Sequence, residues 1–198
     1  EVLDILIEEI GKYKETYAES HYGLVQTIIG VHGTVNNDEW IQFIPRLRWR
    51  NKDLKTDIAK KLDIDISIEN SANLSVYAER VYQYPESDDL LGIVLSSGIG
   101  AGVINDRQLV KGHDGYAGEI GHMIISPYGR ECRCGNQGCW ELYAAEPAVF
   151  SELKEKLDQP KLTYADIKKL IAKKDETTLR IMEQFIDYVA IGINNMIN

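Results

Sequence analysis

The stretch GEIGHMIISPYGRECRCGNQGCWE, residues 118–141, decides how the chain is interpreted. It contains all three cysteines of the chain. Together with one histidine they form the pattern H-x9-C-x-C-x4-C, whose four candidate metal ligands are His122, Cys132, Cys134 and Cys139. Gly135 and Gly138 allow tight turns between the thiols. Three thiolates and one imidazole fill every position of a tetrahedral zinc ion, so the pattern predicts a structural zinc that does not activate water.

The net negative charge of such a zinc site must be offset by nearby positive groups or N–H donors. Zinc with three thiolates carries a net negative charge, which Arg130, Arg133 or backbone N–H groups of the turns could offset. The alternative is that three reduced cysteines cluster in a loop without a metal. A disulfide framework is not expected from three cysteines confined to one short loop.

Composition limits the class of protein. Of the 198 residues, 44% are hydrophobic and 27% charged, as in a soluble globular protein with a sizeable core. Neither a membrane-spanning run nor a signal peptide is visible, so we expect a cytoplasmic protein. The net charge of −9 opposes DNA binding by this segment alone. Because Glu1 rather than Met begins the chain, we expect it to be truncated.

Hydrophobic periodicity predicts a series of helices and strands. The predicted helices span 2–17, 52–62, 73–84, 147–157, 164–173 and 177–197. The predicted strands span 24–31, 64–68, 91–95 and 102–104. The first strand is expected to be buried and to lead into the loop 30–33, and loops at the carboxyl ends of strands bind ligands in α/β folds. The glycine-rich turn 96–101 suits close approach to a phosphate or a sugar.

The metal segment resembles the ROK family of bacterial sugar kinases and sugar-responsive repressors. The resemblance covers about residues 24–146 and is carried by GVHG at 30–33, ENSAN at 69–73, LSSGIGAGVINDRQLVKG at 95–112 and GYAGEIGH at 115–122. It implies an actin-like, ribonuclease-H-like two-lobed α/β fold with sugar bound between the lobes. With a boundary at the Pro85 stop, residues 1–86 would be the remainder of the small lobe and residues 87–198 the large lobe with the zinc loop.

The resemblance also implies which residues bind sugar. Asn70, Glu119, His122 and Glu141 match residues that hydrogen-bond sugar hydroxyls, and Gly33 matches a backbone contact. Carboxylates, amides and a zinc-bound imidazole with a free N–H all suit this task. The alternatives are a helix cap or turn for Asn70 and solvated surface carboxylates for the two glutamates.

Two departures from the kinase pattern predict that the chain is not an enzyme. The resemblance implies an aspartate base where this sequence has Ser71, whose hydroxyl is not basic and has no evident partner to activate it. The Asp-x-Gly-x-Thr phosphate loop of the kinases does not occur before Leu24. A milder departure is His32, where the family commonly has proline, and we assign His32 no role from sequence.

Three functions remain open at this stage. The first is the sugar-sensing effector domain of a repressor, most similar to xylose-responsive ones. It would bind xylose or a glucose-like sugar, act as a homodimer or higher oligomer, and reach operator DNA through a helix-turn-helix domain before Glu1. The second is an ATP-dependent sugar kinase. The third is a zinc-stabilised interaction domain, which the acidic charge and the lack of a basic helix disfavour as a DNA reader.

Overall fold

The computed structural model describes residues 1–198 and divides them into two compact units. The first unit comprises residues 1–92 and 102–118, and the second comprises residues 93–101 and 119–198. The chain thus passes between the units at three points, whereas the sequence suggested one lobe boundary after residue 86. The assignment of family lobes stays a prediction. None of the helices has the length and apolar character needed to cross a membrane.

Helices and strands follow one another along most of the chain. The helices are α1 (Val2–Thr16), α2 (Leu54–Ala59), α3 (Ser71–Tyr82), α4 (Glu141–Ala144), α5 (Glu146–Lys156), α6 (Tyr164–Ala172) and α7 (Glu176–Ile197), with a 3-10 helix at Ile120–His122. The strands are β1 (Gln26–Val31), β2 (Thr34–Val35), β3 (Ile41–Ile44), β4 (Trp49–Lys52), β5 (Asp65–Asn70), β6 (Leu90–Leu95), β7 (Ile99–Asn105) and β8 (Gln108–Leu109).

Three small sheets form. Strands β1 and β5 pair in parallel, with Gly30 opposite Glu69 and Val31 opposite Asn70. Strands β2, β3 and β4 form an antiparallel sheet that the sequence did not predict. The third sheet has the order β6-β7-β8. Strand β7 begins at Ile99, so the glycine-rich turn is shorter than the predicted 96–101.

The first unit is built around the β1–β5 pair. Its buried core consists of Ile10, Val31, Val35, Ile41, Ile44, Leu54, Ile58, Ile66 and Ile68. Strand β1 was expected to be buried, but only one of its faces is covered. Val31 is buried whereas Ile28 is 58% exposed, because successive side chains point to opposite faces of a strand.

Helices make up most of the second unit. Side chains of α5, α6 and α7 and of the loop between α5 and α6 form a buried cluster of Leu153, Leu162, Ile167 and Ile181. Side chains of Thr163 and Asp175 accept hydrogen bonds at the starts of α6 and α7, and these caps fix where the two helices begin. The predicted apolar stripe of α7 included Ile186, which is exposed, whereas Ile181, which the predicted stripe left out, is buried.

Candidate functional site

The carboxyl ends of β1 and β5 bring together Gly33 and Asn70, two of the predicted sugar-binding residues. Asn70 Nδ2 donates to the Gly33 carbonyl over 2.9 Å. Asn70 is also the N-cap of α3, since its Oδ1 accepts from the backbone N–H groups of Ala72 at 2.7 Å and Asn73 at 3.3 Å. The amide therefore fixes the loop and the helix start, and one of its two N–H groups is left for a ligand.

His32 and Ser71 are in contact at the same carboxyl ends of β1 and β5. The Oγ of Ser71 is 2.8 Å from Nδ1 of His32, within hydrogen-bonding distance. No partner for Ser71 was evident from the sequence, and this contact with His32 supplies one. The parallel register explains the contact, because Val31 and Asn70 are opposite each other at the strand ends and His32 and Ser71 directly follow the two strands. No local sequence pattern reveals a pairing between residues so far apart.

Glu69 is buried and connects the end of β5, the start of α3 and Lys111. Its carboxylate accepts from the backbone N–H of Asn70 at 2.8 Å and from Asn73 Nδ2 at 3.1 Å. Lys111 Nζ lies 2.5 Å from the second oxygen of Glu69, and both side chains are largely buried. Lys111 is a second residue that sequence reasoning missed, although it lies within the 95–112 stretch that carries the resemblance.

The predicted metal ligands converge in the second unit. The ligand atoms of His122, Cys132, Cys134 and Cys139 all lie within 4.8 Å of one another. Cys134 Sγ is 3.6 Å from Cys139 Sγ, and Cys132 Sγ is 3.6 Å from His122 Nδ1. Tetrahedral zinc with bonds of about 2.0–2.3 Å has ligand-to-ligand edges of roughly 3.5–3.8 Å. The four residues therefore fit zinc, with Nδ1 as the imidazole ligand.

Tight turns bring the thiols together. Gly135 and Gly138 have φ angles of +100° and +78°, a region that other residues rarely adopt. The N–H of Cys132 donates to the Asn136 carbonyl at 2.8 Å, and Gly138 N–H donates to the Arg130 carbonyl at 2.8 Å. These bonds close the loop on itself, and the ligand side chains face one another.

The buried thiols of Cys132 and Cys139 are disfavoured as thiolates when no metal is bound. Burial is the main factor that raises the pKa of Cys139, and its neighbours Cys134 and Cys132 raise it further. Burial also raises the pKa of Cys132. A cation at the centre would reverse this preference, because a metal-bound thiol is deprotonated. The cluster is chemically suited to hold a metal, and the buried thiols of Cys132 and Cys139 are unsuited to act as nucleophiles.

Two glutamates lie close to the cluster in the chain, and one of them contacts it through its carboxylate. Glu141, the first residue of α4, places Oε1 3.7 Å from His122 Nδ1 and 3.6 Å from Cys132 Sγ. Glu119 immediately precedes the 3-10 helix, and its carbonyl accepts from the His122 N–H at 3.2 Å. The turn before β7 is close by, since a Cβ on Gly98 would come within 3.1 Å of Glu141 Oε2. The carboxylate of Glu141 therefore lies at the metal cluster, and the backbone of Glu119 begins the 3-10 helix that carries His122.

Arg130 contacts the helices that follow the metal loop. Its guanidinium donates to the Leu142 carbonyl at 2.6 Å and to Glu152 at 3.2 Å, and it lies over the Tyr143 ring. Its positive charge is thus directed at α4 and α5. Arg130 ties the metal loop to the helices that follow it.

The five predicted sugar-binding residues fall into two groups. Gly33 and Asn70 belong to the first unit and are joined by a hydrogen bond. Glu119, His122 and Glu141 belong to the second unit and lie within or beside the metal loop. Each group is held in place by its own unit's backbone.

Comparisons with known proteins identify the family of the chain. A profile of the ROK family matches residues 1–198. The chain is 40% identical over 196 residues to the xylose repressor of Bacillus subtilis, a match that covers 98% of this chain and 50% of that repressor. It is 33% identical over 135 residues to a glucokinase of Streptomyces coelicolor, covering 67% of this chain and 43% of that kinase. The chain thus spans about half the length of these relatives.

A solved structure extends the likeness to three dimensions. A ROK family transcriptional regulator, described as a homologue of the E. coli MLC protein, matches with a TM-score of 0.85 and 26% identity. The match covers 100% of this chain and 52% of that regulator. The α/β architecture is therefore that of ROK proteins. With the profile matching the chain from end to end, this protein belongs to the ROK family.

Proposed function

We propose that the chain is the sugar-sensing effector part of a ROK-family transcriptional repressor. The observation that carries the proposal is the 40% identity to a xylose repressor over 98% of the chain. We place the protein in the cytoplasm and the sugar in the cleft of an actin-like, two-lobed arrangement, as the resemblance implies. The effector would be xylose or a glucose-like sugar.

The sugar contacts follow from the chemistry of the two residue groups. Glu119 and Glu141 would accept hydrogen bonds from hydroxyls, and the remaining N–H of Asn70 would donate one. The backbone of Gly33 would approach the sugar closely because no side chain intervenes. These groups recognise a neutral polyol, and no additional charge is needed to balance the ligand.

Zinc would have a structural role in this function. Its ligands would be His122, Cys132, Cys134 and Cys139, and bound zinc would hold three thiolates and an imidazole in a fixed tetrahedron. With Nδ1 of His122 on the metal side, the Nε2 N–H of the ring would be free to donate to sugar. The metal loop would thereby orient a sugar-reading residue.

Regulation would act through an equilibrium between conformations. In a homodimer, sugar that binds one conformation more tightly would shift the population toward it and change the spacing of two DNA-reading domains. Those domains would contact operator DNA from outside residues 1–198. The acidic chain itself would not contact DNA.

A thermal-shift screen with pentoses and hexoses, with and without ATP, tests the proposal. We expect D-xylose or D-glucose alone to raise the melting temperature of the full-length protein. Stabilisation only in the presence of ATP would favour a kinase. If no sugar shifts the melt under either condition, an interaction domain without a small ligand would replace the sensor.

A sugar kinase is the second candidate, and two observations favour it. The chain resembles a glucokinase, and the imidazole of His32 lies beside Ser71 at the position where the resemblance implies the catalytic base. We nevertheless propose that the protein is not an enzyme, since the hydroxyl of Ser71 is itself not basic. Turnover of about 1–100 s⁻¹ by the full-length protein with ATP and sugar would overturn this. Ser71→Asp is the variant most suited to restore activity.

A further inference from the structure

We propose that Lys111 is a positioning residue of the sugar site, which acts on Asn70 through the carboxylate of Glu69. The proposal rests on the proposed sugar-binding function and adds to it a residue that acts without touching the sugar. The ammonium of Lys111 lies 2.5 Å from Glu69 Oε2, and the two side chains are 28% and 12% exposed. All three residues belong to the first unit.

A chain of polar contacts leads from Lys111 to the amide of Asn70. The second oxygen of Glu69, Oε1, accepts from the backbone N–H of Asn70 at 2.8 Å. Asn70 in turn caps α3 with its Oδ1 and donates from Nδ2 to the Gly33 carbonyl at 2.9 Å. The direction of the remaining N–H of this amide therefore depends on where the Glu69 carboxylate is held.

The same oxygen of Glu69 also holds Asn73. Asn73 Nδ2 donates to Glu69 Oε1 at 3.1 Å, whereas Asn73 Oδ1 is buried and makes no hydrogen bond. Asn73 is 4% exposed, so water does not readily replace Glu69 as its partner. Oε1 of Glu69 thus connects two residues at the start of α3, and Oε2 is left for Lys111.

Loss of the Lys111 ammonium would move the Glu69 carboxylate. A charged oxygen that is buried without a partner is strongly disfavoured, so the side chain would turn toward water and give up its hydrogen bonds to Asn70 and Asn73. An open cavity of about 300 Å³, lined in part by Glu69, Asn73 and Lys111, provides the space for this movement. The cation therefore keeps the carboxylate in the orientation that Asn70 requires.

The backbone that carries Lys111 is itself fixed. The carbonyl of Lys111 accepts from the Ala117 N–H at 3.1 Å, which closes the intervening residues into a loop. Asn37 Nδ2 donates to the carbonyls of Gly112 and His113 at 3.1 Å and 3.0 Å. These bonds attach the loop to the residues that follow β2. The ammonium thus reaches the carboxylate from a defined position.

The experiment is a double-variant cycle on the full-length protein, with calorimetric titrations of D-xylose and D-glucose. The variants are Lys111→Met, Asn70→Ala and their combination, and Lys111→Arg keeps the positive charge. Lys55→Met is the matched control, since Lys55 Nζ lies 2.6 Å from a carboxylate oxygen of Glu39 in another ion pair of the same unit. The melting temperature of every variant is measured, and Lys111→Gln replaces Lys111→Met if the latter does not fold.

We expect Lys111→Met to weaken sugar binding about tenfold, equivalent to about 1.4 kcal/mol. In the Asn70→Ala background the same substitution should cause no further loss of affinity, although it should still lower the melting temperature, because Lys111 acts on the sugar only through Asn70. Lys111→Arg should keep most of the affinity. Lys55→Met should bind sugar like the unmodified protein.

Three results would each overturn the positioning role. They are an unchanged affinity in Lys111→Met, an equal loss of affinity in Lys55→Met, and a full additional loss when Lys111→Met is added to Asn70→Ala. If the unmodified protein binds neither sugar, the proposed function fails, and the positioning role fails with it.

Discussion

His122 is the residue at which metal binding and sugar binding are expected to meet. Its Nδ1 lies 3.6 Å from Cys132 Sγ and 3.7 Å from Glu141 Oε1, so this nitrogen faces the thiol cluster. A histidine whose one nitrogen binds metal has a fixed tautomer and ring orientation. The other nitrogen then carries a proton in a defined direction, which is the property a hydroxyl-binding residue needs.

Variants of His122 and Glu119 should separate the two roles. Glu119→Gln should weaken sugar binding by about ten- to a hundredfold, or roughly 1.5–3 kcal/mol, because a charged hydrogen-bond acceptor is lost. Its zinc content should not change. His122→Ala should lower both sugar affinity and zinc content. Calorimetry and elemental analysis on the same preparations measure this, and a His122→Ala protein that keeps its zinc and its affinity would contradict the link.

Variants of Lys111 and Glu69 test whether their ion pair stabilises the region around Asn70. Lys111→Met leaves a largely buried carboxylate without its cation and should lower the free energy of unfolding by about 1–3 kcal/mol. Adding Glu69→Gln should recover part of the loss, because the uncompensated charge disappears. Chemical denaturation of the single and double variants measures the coupling. Strictly additive effects would mean that the ion pair has no structural role.

Some of the site could be predicted from residue types and some could not. The ligands of the metal cluster are close in sequence, so spacing alone indicated them. The contacts of Ser71 with His32 and of Glu69 with Lys111 join residues that are 39 and 42 positions apart. Such contacts depend on strand pairing and chain crossing, which single-sequence patterns do not specify.

At the scale of elements, the metal loop is anchored to the last helix by Trp140. This side chain is fully buried, and its indole N–H donates to the Tyr188 carbonyl of α7 at 2.7 Å. Gly192, one turn further along, has no side chain because a Cβ there would overlap the indole. The position of the loop therefore depends on Gly192 of α7, a residue that hydrophobic periodicity does not identify as part of the packing.

Replacing two helical glycines by alanine should have opposite effects. Gly192→Ala should destabilise the protein by about 1–3 kcal/mol, since the added methyl overpacks against Trp140. Gly11→Ala in α1 should stabilise by about 0.4–1 kcal/mol, because the added Cβ meets only Leu62 at 3.9 Å. Thermal unfolding compares the two. Equal effects of the same sign would contradict the packing described for Trp140.

The thiol cluster should bind one zinc ion per chain, with protons released on binding. The pKa of Cys139 is raised by burial in the metal-free loop, so zinc must displace a proton and its affinity should fall as the pH is lowered. Cys139→Ser should reduce zinc content well below one per chain and lower the melting temperature. Elemental analysis without chelators, and zinc titrations near neutral and at lower pH, test this. A pH-independent affinity would be inconsistent with thiolate ligation.

Element prediction succeeded where periodicity was strong. The helices predicted at 164–173 and 177–197 correspond closely to α6 and α7, which have polar caps and a repeating apolar face. The sheet β2–β4 was not predicted because its strands have only two to four residues. Strands that short contain too little alternation to be distinguished from a loop.

At the scale of the whole molecule, the net charge and the residue types of the expected site both favour a neutral ligand. A chain with a net charge of −9 is suited to bind a neutral sugar and poorly suited to bind DNA directly. The expected sugar-reading groups are two carboxylates, an amide and an imidazole, with no basic cluster for a phosphate among them. Binding of sugar without nucleotide is therefore the central requirement of the proposed sensor.

The most direct test is a calorimetric titration of the full-length, zinc-loaded protein with D-xylose and with D-glucose in the absence of nucleotide. The sensor proposal predicts saturable binding of one of the two sugars, with one site per chain and an affinity that ATP does not change. Absence of binding by both sugars without ATP, followed by binding once ATP is added, would contradict the proposal and favour a kinase.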